Sequence, residues 1–518
     1  MGRVVAVSAT FGLFGMPEMP MFEPTTVGQF GVDACTAALN DPVLESFWAR
    51  KVSILHARAL HYVEMGNLDS ALQDMQATHA AAANRSNELA YQRSMGVSAK
   101  LFEAALLAKK GSYKEAHALA VQASDVRPYS ADIASLSYAI VQTSPEQNAD
   151  SARVLDRLMS LTPQYWLRAA ARDRSGDNQG AADDWARLAA SGEFGASDGS
   201  AEKMKVNGVT SNPAFVMNAA LAAARAGRNE QAQAFLAQFD AISVIPADPL
   251  PADGKKEKFQ EAEARATRER VRMAIKILKA DAENFRAPTE AFIALNAGDP
   301  AGAAQKLMAR GGFNIPMAPA TIDLMTRLSQ NPASANLVPP QLPDTFRNAW
   351  ANTAPKRAAR LDLLKFAKAL PPMETSGGLN KYQGQYGWGL NPNGFKETTS
   401  KASSIRTLEF SGASTVAASE ELGLLRIAEL SKKEGKGGFL ILDERQFKRY
   451  QVTSYGGVET SRMPSGFQVY LDFITVDPAA LPAQYAKEAD RVIKAEAVFA
   501  DLTPVYLAEK QGAEKQTR

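Results

Sequence analysis

The sequence predicts a mostly α protein, an α-solenoid of helical hairpins over residues 45–310 followed by a small α+β domain over residues 381–505. Three observations predict it. A small-residue triplet recurs along the first part, charged amphipathic stretches lie between its copies, and the composition turns aromatic and β-branched near residue 380. The triplet is alanine, glycine seven residues on, and alanine five further. It occurs as Ala59, Gly66, Ala71; Ala104, Gly111, Ala116; Ala169, Gly176, Ala181; Ala220, Gly227, Ala232; and Ala291, Gly298, Ala303. With 35 glycines and roughly one alanine in six, chance supplies about one such triplet in the chain. Each copy reads as two antiparallel helices crossing at their small residues, with glycine in the turn, where only a residue tolerant of positive φ is unstrained.

In the second copy Gly111 is followed by Ser112, Tyr113, Lys114, Glu115 and Ala116, then Ala123, and Pro128 closes the second helix as a stop signal. Pro163 lies 35 residues beyond Pro128, which places a copy without its glycine over about residues 130–163. This pattern resembles tetratricopeptide repeats, whose period is about 34 residues. The steps between turn glycines, 45, 65, 51 and 71 residues, depart from that period and imply insertions or worn copies. The large aromatic positions of the family are weak here. The resemblance implies that the first helix of each hairpin lines an inner face that receives a partner peptide or protein.

At 518 residues and 46% hydrophobic, the chain can bury a sizeable core. A net charge of +2 implies no strong field for nucleic acid or an anionic membrane. The single cysteine, Cys35, excludes an internal disulfide and reads as a small apolar side chain packed on the first repeat. The four histidines, His56, His61, His79 and His117, lie early in the chain, and the spacing of His56 and His61 suits no shared metal. Residues 1–44 read as a lead-in. Val4 to Phe14 is an apolar run too short to span a bilayer, either a signal remnant or a strand-like segment.

Residues 191–213 and Ile245 to Gly254 read as loops. Lys255 to Phe285 mixes charge at helical spacing and reads as a solvated amphipathic helix. Residues 311–380 read as a proline-rich linker in which Phe346 to Leu370 forms a capping helix. Beyond it, Ile405 to Phe410, Phe439 to Leu442 and Phe467 to Phe473 carry strand patterns. A helix over Thr415 to Lys433, capped by Ser414 or Thr415 and closed by Gly435, separates the first two. A final helix is expected from Ala483 to Thr503, and residues 506–518 read as a disordered tail.

The run Leu408, Glu409, Phe410, Ser411, Gly412, then Arg426 to Leu430, then Gly435, Phe439, Ile441, Leu442 and Asp443 resembles a family of uncharacterised alphaproteobacterial envelope lipoproteins. That resemblance implies a single α+β domain and a place in the cell envelope or periplasm. This chain lacks the family's anchor cysteine before the domain, and a cytoplasmic location is the alternative.

No phosphate-binding loop, nucleophile elbow or cofactor motif occurs, and no histidine lies in the last three quarters to act as a base. Tyr382 to Gly389 could form a binding platform or pack on the sheet. Two residues before each turn glycine stand Glu64, Lys109, Arg174, Arg225 and Asn296. Lys109, Arg174 and Arg225 would make a basic stripe along the inner face, with Trp166, Met217 and Asn218 nearby, suited to a partner's carboxylates. The alternative is solvated cations placed where helix C-termini favour them. The expected function is a noncatalytic protein–protein interaction scaffold with no metal and no cofactor. Two rivals stand beside it: a hydrolase using carboxylates such as Asp443 and Glu444 between the hairpins and the C-terminal part, and an oligomerisation module exposing the edge of Phe467 to Val476.

Overall fold

A computed structural model of the chain describes residues 5–8, 28–43, 47–85, 88–144, 149–191, 212–242, 259–309, 318–371, 382–385, 393–399, 404–412, 415–455 and 458–507. The apolar run before residue 15 other than 5–8, the loop at 192–211, the stretch 245–254, residues 386–389 and the tail from 508 lie outside them. Contacts divide the chain into two compact units. Gln164–Thr353 form the middle unit; Gly2–Pro163 together with Ala354–Arg518 form the terminal unit. This grouping differs from a linear division at residues 310 and 380.

The terminal unit opens with β1 (Val5–Ser8) and α1 (Gln29–Leu39), so the expected lead-in carries a helix. Its first hairpin is α2 (Trp48–Glu64) and α3 (Leu68–Ala81). A short α4 (Leu89–Tyr91) runs through a π turn into α5 (Val97–Lys110), which pairs with α6 (Tyr113–Val126). The third hairpin, α7 (Ala131–Val141) and α8 (Ala149–Leu161), is the copy expected without a glycine. The middle unit holds the hairpins α9 (Tyr165–Ser175) with α10 (Asn178–Ser191) and α11 (Pro213–Arg225) with α12 (Asn229–Ala241). After α13 (Phe259–Glu283) comes the hairpin of α14 (Arg286–Asn296) and α15 (Pro300–Met308).

The triplets behave as their chemistry demands. The turn glycines Gly66, Gly111, Gly176, Gly227 and Gly298 have φ of 73°, 88°, 83°, 80° and 83°. All ten flanking alanines are fully buried, at 0% exposure. A left-handed residue closes the first helix, and a methyl-sized side chain on each helix lets the pair approach closely. Asn67 and Asp299 then accept from Ser70 N and Gly302 N and cap the second helices of their hairpins.

The proline-rich linker is more helical than expected. It carries α16 (Pro319–Gln330), α17 (Leu342–Ala351), α18 (Ala354–Ala359) and α19 (Leu363–Lys368), so the single capping helix is in fact three short ones. Pro319 and Pro343 sit in the first turns of α16 and α17, where no backbone N–H is needed.

In the terminal unit, β2 (Gly394–Thr399), β3 (Arg406–Gly412), α20 (Val416–Lys433), β4 (Gly438–Tyr455) and β5 (Val458–Val476) follow. The last segment is a 3-10 stretch over Ala483–Arg491, a two-residue β6 (Ile493–Lys494) and α21 (Ala495–Tyr506), rather than one helix. The sheet order is β1-β4-β5-β3-β2, with β6 also on β4; β1 pairs in parallel and the rest antiparallel. From Phe467 to Phe473, β5 is bonded on both sides, by β3 and β4, so this stretch offers no free edge for oligomerisation. Thr415 caps α20 by accepting from Ala418 N at 3.1 Å, and Gly435 closes it at φ 69°. On α20, Gly423 lets the helix approach the sheet: an added Cβ there would lie 3.0 Å from Leu471. Leu424, Leu425, Ile427 and Ala428 pack with Leu408, Phe439, Ile441, Leu471 and Phe473, and Ala131 and Leu161 of the third hairpin join the same core.

We predict that Ala104→Leu destabilises the chain more than Gly111→Ala. The first overpacks a buried crossing and costs about 1–3 kcal/mol. The second meets open space and carries only the left-handed strain of roughly 1–2 kcal/mol. Urea denaturation of the two variants checks the order.

Candidate functional site

The face made by the first helices of the hairpins is the candidate interaction surface, and the chain itself lies against it. In the middle unit α16 packs on α9, α11 and α14, the first helix of each hairpin there. It does so with one stripe, Ala320, Thr321, Leu324, Met325 and Leu328, all buried. In the terminal unit α19 packs on α2 and α5, α18 on α5, and α20 on α7, so all three first helices are again used.

The residue two before the turn glycine serves this packing. Arg225 Nη1 donates to Asp173 O at 2.8 Å, in the last turn of α9, and Arg225 Nε lies 3.2 Å from Asp323 of α16. Asn296 Nδ2 donates to Ala224 O at 2.7 Å, in the last turn of α11. Lys109 Nζ donates to Ala359 O at 2.7 Å, the last residue of α18. Glu64 does the opposite and accepts from Gly28 N, at the start of α1, at 2.8 Å. Donors meet carbonyl ends and the carboxylate meets an N–H end, as the helix dipole favours. The Gly28 bond, and then His61, hold the Glu64 carboxyl below its usual range.

The basic stripe is therefore corrected in part. Arg225 has a side chain only 8% exposed and holds α9 and α16 together; Lys109 holds α18, with burial pushing its ammonium down. Arg174 is half-buried and, with Arg225, lowers the charge cost of Asp173, whose carboxyl is nonetheless pushed up by burial. Arg174 and Arg225 thus converge on one carboxylate, while Lys109 belongs to the terminal unit. Trp166, near the start of α9, is 44% exposed, and Asn218 of α11 is half-buried.

Two further sites escaped the sequence reading. Arg58 Nε and Nη2 grip Asp74 at 2.9 and 2.6 Å, and Arg168 Nε and Nη2 grip Asp184 at 2.8 and 2.7 Å. Each arginine stands eight residues before its turn glycine and each aspartate eight after, so the pair clamps its own hairpin with a bidentate bond. That mirrored spacing was the available signal.

The second site joins the second and third hairpins to α20. Arg127 and Glu421 are both wholly buried; Arg127 Nη2 lies 2.8 Å and Arg93 Nη2 2.6 Å from the Glu421 carboxylate, which also accepts from the Tyr506 hydroxyl. Arg127 Nη1 further donates to Arg93 O at 2.7 Å. Burial alone would raise the Glu421 pKa, but the two guanidiniums and Tyr506 outweigh it and hold it down to about 2. One residue earlier, Glu420 meets carboxylates instead. Gln446 Nε2 of β4 donates to Glu420 at 2.8 Å and Glu444 at 3.0 Å, and lies 3.5 Å from Asp132 of α7. Burial pushes all three carboxyls up. Asp443, by contrast, is exposed and paired with Arg445 at 3.1 Å, so the pairing of Asp443 with Glu444 toward one Lys or Arg does not occur. Glu444 pairs with Glu420.

Among the described residues no cluster of His, Cys, Asp and Glu could hold a metal ion, and no helix is long and apolar enough to cross a membrane. No protein family, curated protein or solved structure matches the chain.

We predict that Glu421→Ala costs about 3–5 kcal/mol, because it leaves two guanidiniums buried without their partner. With a folded pKa of about 2, below the ordinary carboxylate value, the stability this group supplies is complete above that value. It is lost as pH falls toward 2. Thermal melts of wild type and variant between neutral and strongly acidic pH check both.

Proposed function

We propose that the protein is a noncatalytic protein–protein interaction scaffold built on tetratricopeptide-like hairpins. The observation that carries this reading is the use of first helices: every one of the six packed hairpins has its first helix against another element of the chain, and in the middle unit one amphipathic helix lies across all three. A surface that accepts a helix through an apolar stripe at i, i+4 and i+8, with a carboxylate answered by arginine, is a helix-in-groove recognition surface. Because α16 meets the Arg225 end of α11, the proposed partner contact lies away from that end, at Trp166 in the first turn of α9 and Asn218 in the middle of α11. An exposed tryptophan is the side chain most often found to carry binding energy at such surfaces.

The hydrolase reading has one observation in its favour, the paired carboxyls Glu420 and Glu444. Glu420 is only 2% exposed and Gln446 already bonds both groups, so the pair is arranged as an internal contact. The resemblance of residues 408–443 to envelope lipoproteins supports a place in the cell envelope.

The test is site-specific photo-crosslinking in cells, with the photoreactive residue at position 166, at position 218 or, as a control, at the buried position 225. The expected outcome is one protein adduct shared by 166 and 218 and absent at 225, and Trp166→Ala should weaken capture of that protein at least tenfold. Unchanged capture by a folded Trp166→Ala variant would remove this surface as the binding site.

A further inference from the structure

The joint between the third hairpin and the C-terminal α+β part contains two consecutive glutamates of α20 with opposite surroundings. Glu421 has donors for both oxygens, from Arg127 and Tyr506, and an ion pair with Arg93. Glu420 does not. Its Oε1 accepts from Gln446, while its Oε2 is buried and has no hydrogen-bond partner among the described residues. The side chains around it are acceptors: Glu444 on β4 and Asp132 on α7, with Asp443 behind Glu444. The donors there are the Gln446 amide, which has two hydrogens for three carboxyl groups, and the Ser130 hydroxyl at the start of α7. The nearby cations Arg93 and Arg127 are engaged by Glu421.

Counting hydrogens decides what the cluster must contain. If Asp132, Glu420 and Glu444 were all ionised, a buried carboxylate oxygen without a hydrogen to accept would lie beside other carboxylates, a costly arrangement. One proton on Glu420 turns that contact into a carboxylic acid donating to the Glu444 carboxylate, a short and strong type of bond. We propose that Glu420 and Glu444 share a proton in the closed joint, taken up as α7 docks over α20 and β4, and that this uptake makes the docking weaken as pH rises. The burial that raises both carboxyls agrees with it.

The direction follows from linkage. In the open joint both glutamates face water and ionise in the ordinary carboxylate range, at about pH 4.3. Closing therefore takes up a proton. Opening becomes about tenfold more favourable for each pH unit above that range, until the closed pair itself ionises. Glu421 works in the other direction and only at strongly acid pH, so the two do not overlap.

The test is hydrogen exchange by mass spectrometry on the full chain, reading peptides from α7 and α20 between pH 5 and pH 7 in wild type and in Glu420→Gln. The glutamine amide donates to Glu444 without titrating, and comparison at equal pH cancels the intrinsic rate of exchange. The expected result is a wild-type to variant ratio of exchange rates that climbs about a hundredfold across those two pH units. A ratio that stays flat or falls overturns the proposal. If Glu420→Gln does not fold, Glu444→Gln, whose amide donates to Glu420 in the same contact, is read in the same way with the same two outcomes.

Discussion

The close crossing of paired helices at alanine is the constraint on which the rest of the structure depends. Ten alanines sit at the crossings with no exposed surface, and between each pair a glycine at positive φ reverses the chain. A larger side chain at either crossing would separate the helices and shift the first-helix face, along with whatever rests on it. Neither half of the device works alone. The glycine fixes where the first helix stops, and the alanines fix how near the second one lies. Where the glycine is missing, between α7 and α8, the hairpin still forms and its Ala131 and Leu161 pack into the core of the C-terminal sheet.

Much of this was legible because it is local. A seven-and-five spacing of small residues needs no distant partner to take effect, and Thr415 and Gly435 bounding α20 are likewise signals within a few residues. The failures are of two kinds. Prolines before and within residues 319–343 suggested irregular chain, yet Pro319 and Pro343 open helices, and the stripe Leu324, Met325 and Leu328 lay unnoticed behind the first of them. From Asp443 to Arg449, β4 carries five charged residues in seven, and a strand made of residues such as Arg445 and Lys448 shows no apolar alternation to find. The other kind is distance. Arg127 and Glu421 are 294 residues apart, and no local pattern announces that a buried arginine will meet a buried glutamate there.

The candidate site shows the same division. Lys109, Arg174 and Arg225 each stand two residues before a turn glycine, but that spacing says nothing about whether a cation faces solvent. Lys109 and Arg225 reach carbonyl oxygens in the last turns of neighbouring helices, where those oxygens have no intrahelical donor. Asn296 does the same without a charge, and Glu64 reverses the polarity at an N-terminus. The position is set by what the adjacent helix end lacks. Glu64 meets an N–H end, and Lys109, Arg225 and Asn296 meet carbonyls, so the side chain at this position is a donor wherever it faces a carbonyl end.

Two neighbours on α20 show how burial alone leaves the charge state of a carboxyl undecided. Glu420 and Glu421 are buried in the same joint and differ by one residue. For Glu421 the cost of removing a carboxylate from water is offset by Arg93, Arg127 and Tyr506, and the group stays ionised. For Glu420 the available neighbours are Glu444, Asp132, the Gln446 amide and the Ser130 hydroxyl, with no cation among them to offset burial, and the least costly state is the protonated one. The guanidinium pair therefore secures the joint wherever Glu421 keeps its charge, and the carboxyl pair secures it wherever Glu420 keeps its proton. Mildly acidic conditions satisfy both at once, so the joint is tightest there, and it loosens on either side for opposite reasons.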